Sequence, residues 1–181
     1  MDKKQLIVAW FIRFLFLPIF ICLLSSSFVA TVEAMSYKEF KNMSDEDLVY
    51  KSELRNGKKG YIDLDYIFEN YEKTKDAYND LDKKLSEAEE QHKILVSKIG
   101  KVEGQEKDEA INELGNHDTK VRNWYQAIRT SYIKEISEEI DSEILSFGDT
   151  YGYSVIKSAK GDKGRELASK VVELLNAKYQ K

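Results

Sequence analysis

The 181-residue sequence is nearly empty of two residue types: it holds one proline, Pro18, and one cysteine, Cys22. Beyond residue 22 there is neither. Without thiols that remainder can carry no disulfide framework, cysteine nucleophile, cysteine-ligated zinc or iron–sulfur cluster. Without proline it has no residue that breaks a helix from inside. Only two histidines occur, His92 and His117, and Gly161-Asp162-Lys163-Gly164 is too short to surround phosphates as a Gly-x-x-x-x-Gly-Lys loop does. A Ser-His-Asp triad would have to recruit one of those two histidines, both within long helical segments, and no acid, base and nucleophile stand together. No enzymatic activity and no cofactor is expected.

Long apolar runs are confined to the beginning. Lys3, Lys4 and Arg13 flank or interrupt the run Leu6–Leu24, which is followed by Ser25-Ser26-Ser27 and Thr31-Val32-Glu33-Ala34. A basic start, an apolar middle and a small-residue exit form the order of a secretory signal peptide. The uninterrupted part, Phe14–Leu24, has 11 residues, too few to span a bilayer alone. Cleavage is expected after Ala34, with Val32 three positions before the cut; the alternative is an uncleaved anchor using all of Leu6–Leu24. Ile21 precedes Cys22 where a lipidation signal needs a small residue, so a lipoprotein is not expected.

Residues 35–181 keep 25 of the 28 bases and 30 of the 32 acids, a net charge of −5. An acidic body argues against general nucleic-acid binding, which needs basic surface to release counterions. It equally argues against a polybasic membrane-surface contact.

Ser36 with Glu39 and Ser44 with Asp47 offer Ser-x-x-acid starts for short helices, a reading that competes with a strand over residues 48–51, where the strand is favoured. Leu48–Leu54 and Gly60–Asp65 read as extended runs joined by Arg55-Asn56-Gly57-Lys58-Lys59, a β-hairpin by its Asn-Gly dipeptide. From Tyr66 the period becomes helical. Tyr71, Thr74, Tyr78, Leu81, Leu85, Ala88, His92, Leu95, Ile99 and Val102 alternate by three and four, a heptad seam. Gly100 and Gly104 interrupt it. A second helix from about Lys107 carries Ile111, Leu114, Asp118, Val121, Tyr125, Ile128 and Tyr132, then Ile136, Ile140 and Ile144 by fours. Two such stripes joined by a short connection predict an antiparallel hairpin of about 30 residues per arm, on the order of 45 Å long. Tyr151–Ile156 predicts a strand, Gly161–Gly164 a loop, and Leu167, Val171, Leu174, Leu175 and Lys178 a closing amphipathic helix.

The expected fold is therefore α+β: a long antiparallel coiled-coil hairpin (66–148) on a small β-containing body (60–65 and 151–179), after a signal (1–34) and an extension (35–59). About four short strands and one helix bury too little surface to be stable alone, so an oligomeric body is expected.

Gly60-Tyr61-Ile62-Asp63-Leu64-Asp65-Tyr66-Ile67-Phe68-Glu69-Asn70-Tyr71 resembles the opening of the Skp (OmpH-like) family of periplasmic chaperones, where a short strand runs directly into the first tentacle helix. Glu135–Ile144 followed by Tyr151-Gly152-Tyr153-Ser154-Val155-Ile156 resembles that family's returning helix and its Gly-Tyr strand, and Val171-Val172-Glu173-Leu174-Leu175-Asn176 resembles its closing helix. The resemblance spans about residues 60–179. It implies a periplasmic homotrimer with a β-barrel body and three helical tentacles, holding unfolded outer-membrane proteins as an ATP-independent holdase. Lys157–Arg165 leaves no room for the family's second strand after the Gly-Tyr strand, and Leu48–Leu54 is the segment available to replace it. A structural or adaptor protein docking one defined partner through the same hairpin is the alternative.

All 11 tyrosines lie after residue 34, with Trp124 the only tryptophan there. Candidate client-binding or seam residues are Tyr71, Tyr78, Leu85, Leu95, Trp124, Tyr125 and Tyr132; candidate body-strand residues are Tyr61, Ile62, Tyr153 and Val155. Tyrosine offers contact area with a wettable end, suited to adaptable binding, and equally suited to seam packing. His92 and His117 would stand at similar heights on opposite arms, with Asp118 on the seam. A two-histidine metal site or pH-sensitive pair can be drawn there, but ordinary core and surface histidines are the simpler reading, and no metal is expected. Asp63 and Asp65, on one face of a strand, are read as strand-end polar residues rather than metal ligands.

Overall fold

The computed structural model describes residues 48–180. The expected signal peptide and the Ser36 and Ser44 helix starts lie outside the described residues. Four helices hold 76% of the described residues and three short strands form one sheet, so the fold is α+β and mostly helical.

The strands are β1 (Val49–Lys51), β2 (Lys58–Ile62) and β3 (Tyr153–Ser158). Their order is β1-β3-β2, with β1 antiparallel and β2 parallel to β3. Both expected extended runs exist, but they do not form the expected hairpin: β3 lies between them. A two-residue turn joins neighbours, whereas here the connection must cross two strand spacings, about 10 Å. It does so against the start of β3. The Ser52 N–H donates to the Ser154 carbonyl at 3.2 Å and the Lys58 N–H to the Gly152 carbonyl at 2.8 Å. Gly57 is needed at that crossing, since a Cβ there would stand 2.8 Å from the Gly152 carbonyl oxygen.

β2 ends at Ile62, not at Asp65 as expected, because Asp63 caps the next helix, α1 (Leu64–Asn70). One Asp63 carboxylate oxygen accepts the Tyr66 N–H at 3.1 Å and the other accepts the Gly161 N–H at 2.8 Å. Asp65 sits in the first turn of α1 and pairs with Lys160 at 3.3 Å. The two aspartates therefore do not share the face of a strand.

The first long helix is not continuous from Tyr66 either. Tyr71 adopts extended angles (φ −70°, ψ 125°) and separates α1 from α2 (Glu72–Ile99). The break is held from outside: the Asn176 side chain accepts the Glu72 N–H at 2.9 Å and reaches the Asn70 carbonyl at 3.4 Å. That amide satisfies groups which a helix break exposes. α3 (Gly104–Tyr151) starts before the expected Lys107 and ends on Gly152, whose φ of 80° is the left-handed closure that glycine permits. That extension moves β3 two residues past the expected Tyr151–Ile156. α4 (Asp162–Tyr179) begins inside the expected loop, because Gly161 (φ 70°) alone makes the turn and Gly164 is already a buried helical residue.

α2 and α3 lie side by side and antiparallel. Moving outward along α2, the partners on α3 step backward: Lys73 pairs with Glu135 (2.5 Å) and Glu139 (2.6 Å), Asp80 with the Tyr132 hydroxyl (2.7 Å), His92 with Asp118 (2.9 Å), and Lys98 with Glu113 (2.7 Å). The seam between them buries Leu81, Leu85 and Ile99 against Leu114, Tyr125, Ile133 and Ile136. At the far end Ala110 is buried while Ile111 is 38% exposed, a shift of one residue from the expected stripe. A straight helix drifts against a 3.5-residue repeat, and over the length of α3 that drift rotates the neighbour inward. The main core joins Ile62, Ile67, Phe68, Ile140, Ile144, Phe147, Ile156 and Val171 at the sheet end; a separate small cluster of Ile99, Ala110 and Leu114 closes the distal end.

Candidate functional site

The arm residues singled out in the sequence fall in and beside the seam. Leu85 is buried, and Tyr78, Leu95 and Trp124 are half-buried, Leu95 in the distal cluster and the other two against the main core. Tyr71 is buried, donates its hydroxyl to Glu139 at 2.8 Å and meets the Tyr179 ring edge-on at 5.9 Å. Tyr132 donates to Asp80. Tyr125 is buried with a hydroxyl that has no hydrogen-bond partner among the described residues.

Of the body residues, Ile62 is fully buried and Val155 half-buried. Tyr153 stacks on Phe147 with 5.8 Å between centroids. Tyr61 is exposed, with the Lys163 ammonium 3.7 Å from its ring centroid. Such a contact is worth about 0.5–1 kcal/mol at an exposed position.

A feature the sequence reading missed is a set of tyrosine–carboxylate pairs. Tyr50 donates to Asp141 (2.7 Å), Tyr71 to Glu139, Tyr132 to Asp80, and Tyr179 to Asp76 (2.9 Å). Each joins two different elements. No local motif announces them, because the partners are 52 to 103 residues apart; only the packing of β1, α2, α3 and α4 on one another would have revealed them. Glu143, buried beside this set, is paired with Lys178 of α4.

Three of these phenols, Tyr71, Tyr132 and Tyr179, are pushed up by burial and by their carboxylates. For Tyr71 burial is the main cause and the Glu139 hydrogen bond the next, and it lies far above the ordinary phenol range. For Tyr132 and Tyr179 the hydrogen bonds to Asp80 and Asp76 lead. Burial alone would lower Lys73, but the hydrogen bonds to Glu135 and Glu139 outweigh it and raise the ammonium above its usual 10.5. All four groups hold protons more tightly folded than unfolded. Their stabilisation is complete below the unfolded value and is lost as pH rises through and beyond it, from about pH 10 upward. Urea midpoints measured between pH 8 and 11 should fall steeply above pH 10. Tyr71→Phe should flatten that fall while costing about 1 kcal/mol at pH 8; an unchanged alkaline slope would contradict the assignment.

Large apolar side chains left exposed are Val49, Leu54, Leu145, Tyr151 and Tyr179 near the body and Ile94 and Ile111 near the distal end. Ile94 and Val102 line a shallow groove there, rimmed by Lys93, Lys98 and Lys101.

His92, His117 and Asp118 are brought together. His92 Nδ1 is 2.9 Å and His117 Nδ1 3.2 Å from the same Asp118 carboxylate oxygen, and one ligand atom from each of the three lies within 4.8 Å of the others. Among the described residues this is the one such group of three histidine or acidic side chains. In comparisons with known proteins, the chain matches no protein-family model and no curated protein.

Proposed function

We propose that the chain is an exported, ATP-independent holdase of the Skp (OmpH-like) type. In this reading α2 and α3 form a coiled-coil tentacle, and the strands join those of other protomers in a trimeric β-barrel body. The tentacles then surround unfolded outer-membrane proteins in the periplasm.

The observation that carries the reading is the combination of a long, two-helix arm with a very small sheet. A 28-residue helix such as α2 runs about 42 Å, far beyond the sheet it starts from. The sheet itself has three strands, of which β1 and β2 are hydrogen-bonded on one side only among the described residues. Strands with an unpaired edge invite another chain. Exposed Val49, Leu54, Tyr61, Leu145 and Tyr151 around that sheet supply apolar surface for an interface, and Ile94 and Ile111 supply dispersed apolar points on the arms. Dispersed contacts of this kind suit many weak attachments to a client rather than one fixed pose.

Two measurements on the purified exported chain test the proposal. Light scattering should give a trimer. Substoichiometric trimer should suppress aggregation both of a diluted outer-membrane β-barrel protein and of an unrelated unfolded protein, with EDTA present and no nucleotide. A monomer, or a trimer that protects neither client, overturns the holdase reading; the latter favours an adaptor with one defined partner.

A further inference from the structure

We propose that His92, His117 and Asp118 form a binding site for one divalent transition-metal ion of the zinc type, which staples the two arms together near their distal end. The holdase reading is not needed for this inference.

The three residues come from two helices. His92 is on α2, about two turns before that helix ends, and His117 and Asp118 are consecutive on α3. Consecutive helical residues diverge by about 100° and do not normally serve one point. Here they do so because they straddle the edge of the seam: His92 is buried, whereas His117 and Asp118 are half-buried to either side of the line that faces it. Both imidazoles aim Nδ1 at one carboxylate oxygen, at 2.9 and 3.2 Å.

Two imidazole nitrogens and a carboxylate oxygen match the donor preference of zinc and its neighbours rather than of calcium or magnesium. A tetrahedral zinc bound at about 2.0–2.2 Å keeps its donor atoms about 3.3–3.5 Å apart. The two nitrogen–oxygen spacings need to widen by only a few tenths of an ångström and the two imidazole nitrogens, within 4.8 Å of each other, to close toward that distance, both by side-chain rotation. Three protein donors leave a fourth position for water. A groove lined by His117 with Gln91, Glu113 and Asn116 gives one of the three donors access to solvent.

The consequence is mechanical. Beyond His92 and Asp118 the arms are held by the small cluster of Ile99, Ala110 and Leu114, with half-buried Leu95, Val96 and Val102 against it, and by the exposed Lys98–Glu113 pair. A bound ion adds a cross-link between α2 and α3 beside this separate distal cluster.

The test uses the full chain, stripped with EDTA and dialysed. Zinc is titrated against a chromogenic chelator, cobalt(II) absorption reports the geometry, and thermal melting is followed with and without zinc. The wild type should bind one zinc per chain at micromolar concentration or tighter, give the intense visible bands of four-coordinate cobalt, and melt higher with zinc. Asp118→Asn and His117→Gln should each weaken binding by at least about tenfold and remove the melting shift, while melting like the wild type in EDTA. Neither change touches a fully buried side chain, and either variant alone suffices if the other folds poorly. No binding by the wild type at micromolar zinc, or affinity unchanged in both variants, overturns the proposal. Because the holdase assay contains EDTA, either proposal can fail without the other.

Discussion

Gly164→Ala should destabilise the protein by about 3 kcal/mol, at the upper end of what overpacking costs. In an exposed helix the same change stabilises by up to about 1 kcal/mol, because alanine is the better helix former. The difference lies in what surrounds the residue. Gly164 is buried in the first turns of α4, where a Cβ would press on the Ala159 carbonyl oxygen and stand 2.5 Å from the Asp63 amide nitrogen and 2.7 Å from the Ile62 carbonyl carbon. All three are backbone atoms and cannot rotate away. The clash can be relieved only by moving α4 off the junction of β2 and α1, where the Asp63 N–H donates to the Gly164 carbonyl at 3.2 Å. Gly115→Ala is the matched control. Gly115 lies within α3 with nothing within 4 Å of its added Cβ, so stability should rise by about 0.5–1 kcal/mol. For a domain of this size the two variants should separate by roughly 8–16 °C in Tm, at about 2–4 °C per kcal/mol. Equal melting temperatures would mean that α4 does not sit on Asp63 as described.

Phe68→Ala should cost about 3–5 kcal/mol, a large share of the roughly 5–15 kcal/mol that holds a domain together. Phe68 is 2% exposed at the sheet end, in the one cluster that receives side chains from β2, β3 and all four helices. Truncating it removes apolar area and leaves a cavity in a place that cannot collapse, since the surrounding elements are tied to one another by Asp63, Asn176 and the β3 ladder. Phe68→Leu keeps most of the volume and should cost no more than about 1.5 kcal/mol. The check is a urea titration in which the midpoint falls and the slope stays constant, the mark of lost stability rather than a changed unfolded state. A shift below 1 kcal/mol for the alanine variant would show that the sheet end is looser than its burial indicates.

The helical part of this architecture was readable because it is periodic. Leu81, Leu85, Leu114, Ile136, Ile140 and Ile144 announce their burial through spacing alone, and so does the antiparallel return of the chain after Gly100. What spacing could not supply was anything decided between distant segments. The hairpin expected from Asn56-Gly57 obeys a sound local rule, but β3, about a hundred residues on, offers hydrogen bonds on both edges and takes the place between the two strands. The break at Tyr71 has no proline or glycine to mark it; its cause is Asn176. The pairing of tyrosine hydroxyls with carboxylates depends on how β1, α2, α3 and α4 pack on one another. By contrast, the meeting of His92, His117 and Asp118 follows from the heptad count and the position of the turn, which placed them at one height. Only their convergence on a single oxygen needed the structure.

The rungs between α2 and α3 also carry an order in time. Lys98 and Glu113 are 15 residues apart in the chain, His92 and Asp118 26, Asp80 and Tyr132 52, and Lys73 and Glu139 66; Asn176, which fixes the break after Asn70, reaches back 104 to Glu72. Closing the widest of these loops first carries the full entropy of the intervening chain, whereas each rung made from the tip leaves a shorter segment to order for the next. The arm is thus free to zip from its far end toward the sheet. The strands and clamp of the body need residues 153–176, so the direction in which α2 leaves α1 is fixed only once the last helix of the chain is in place.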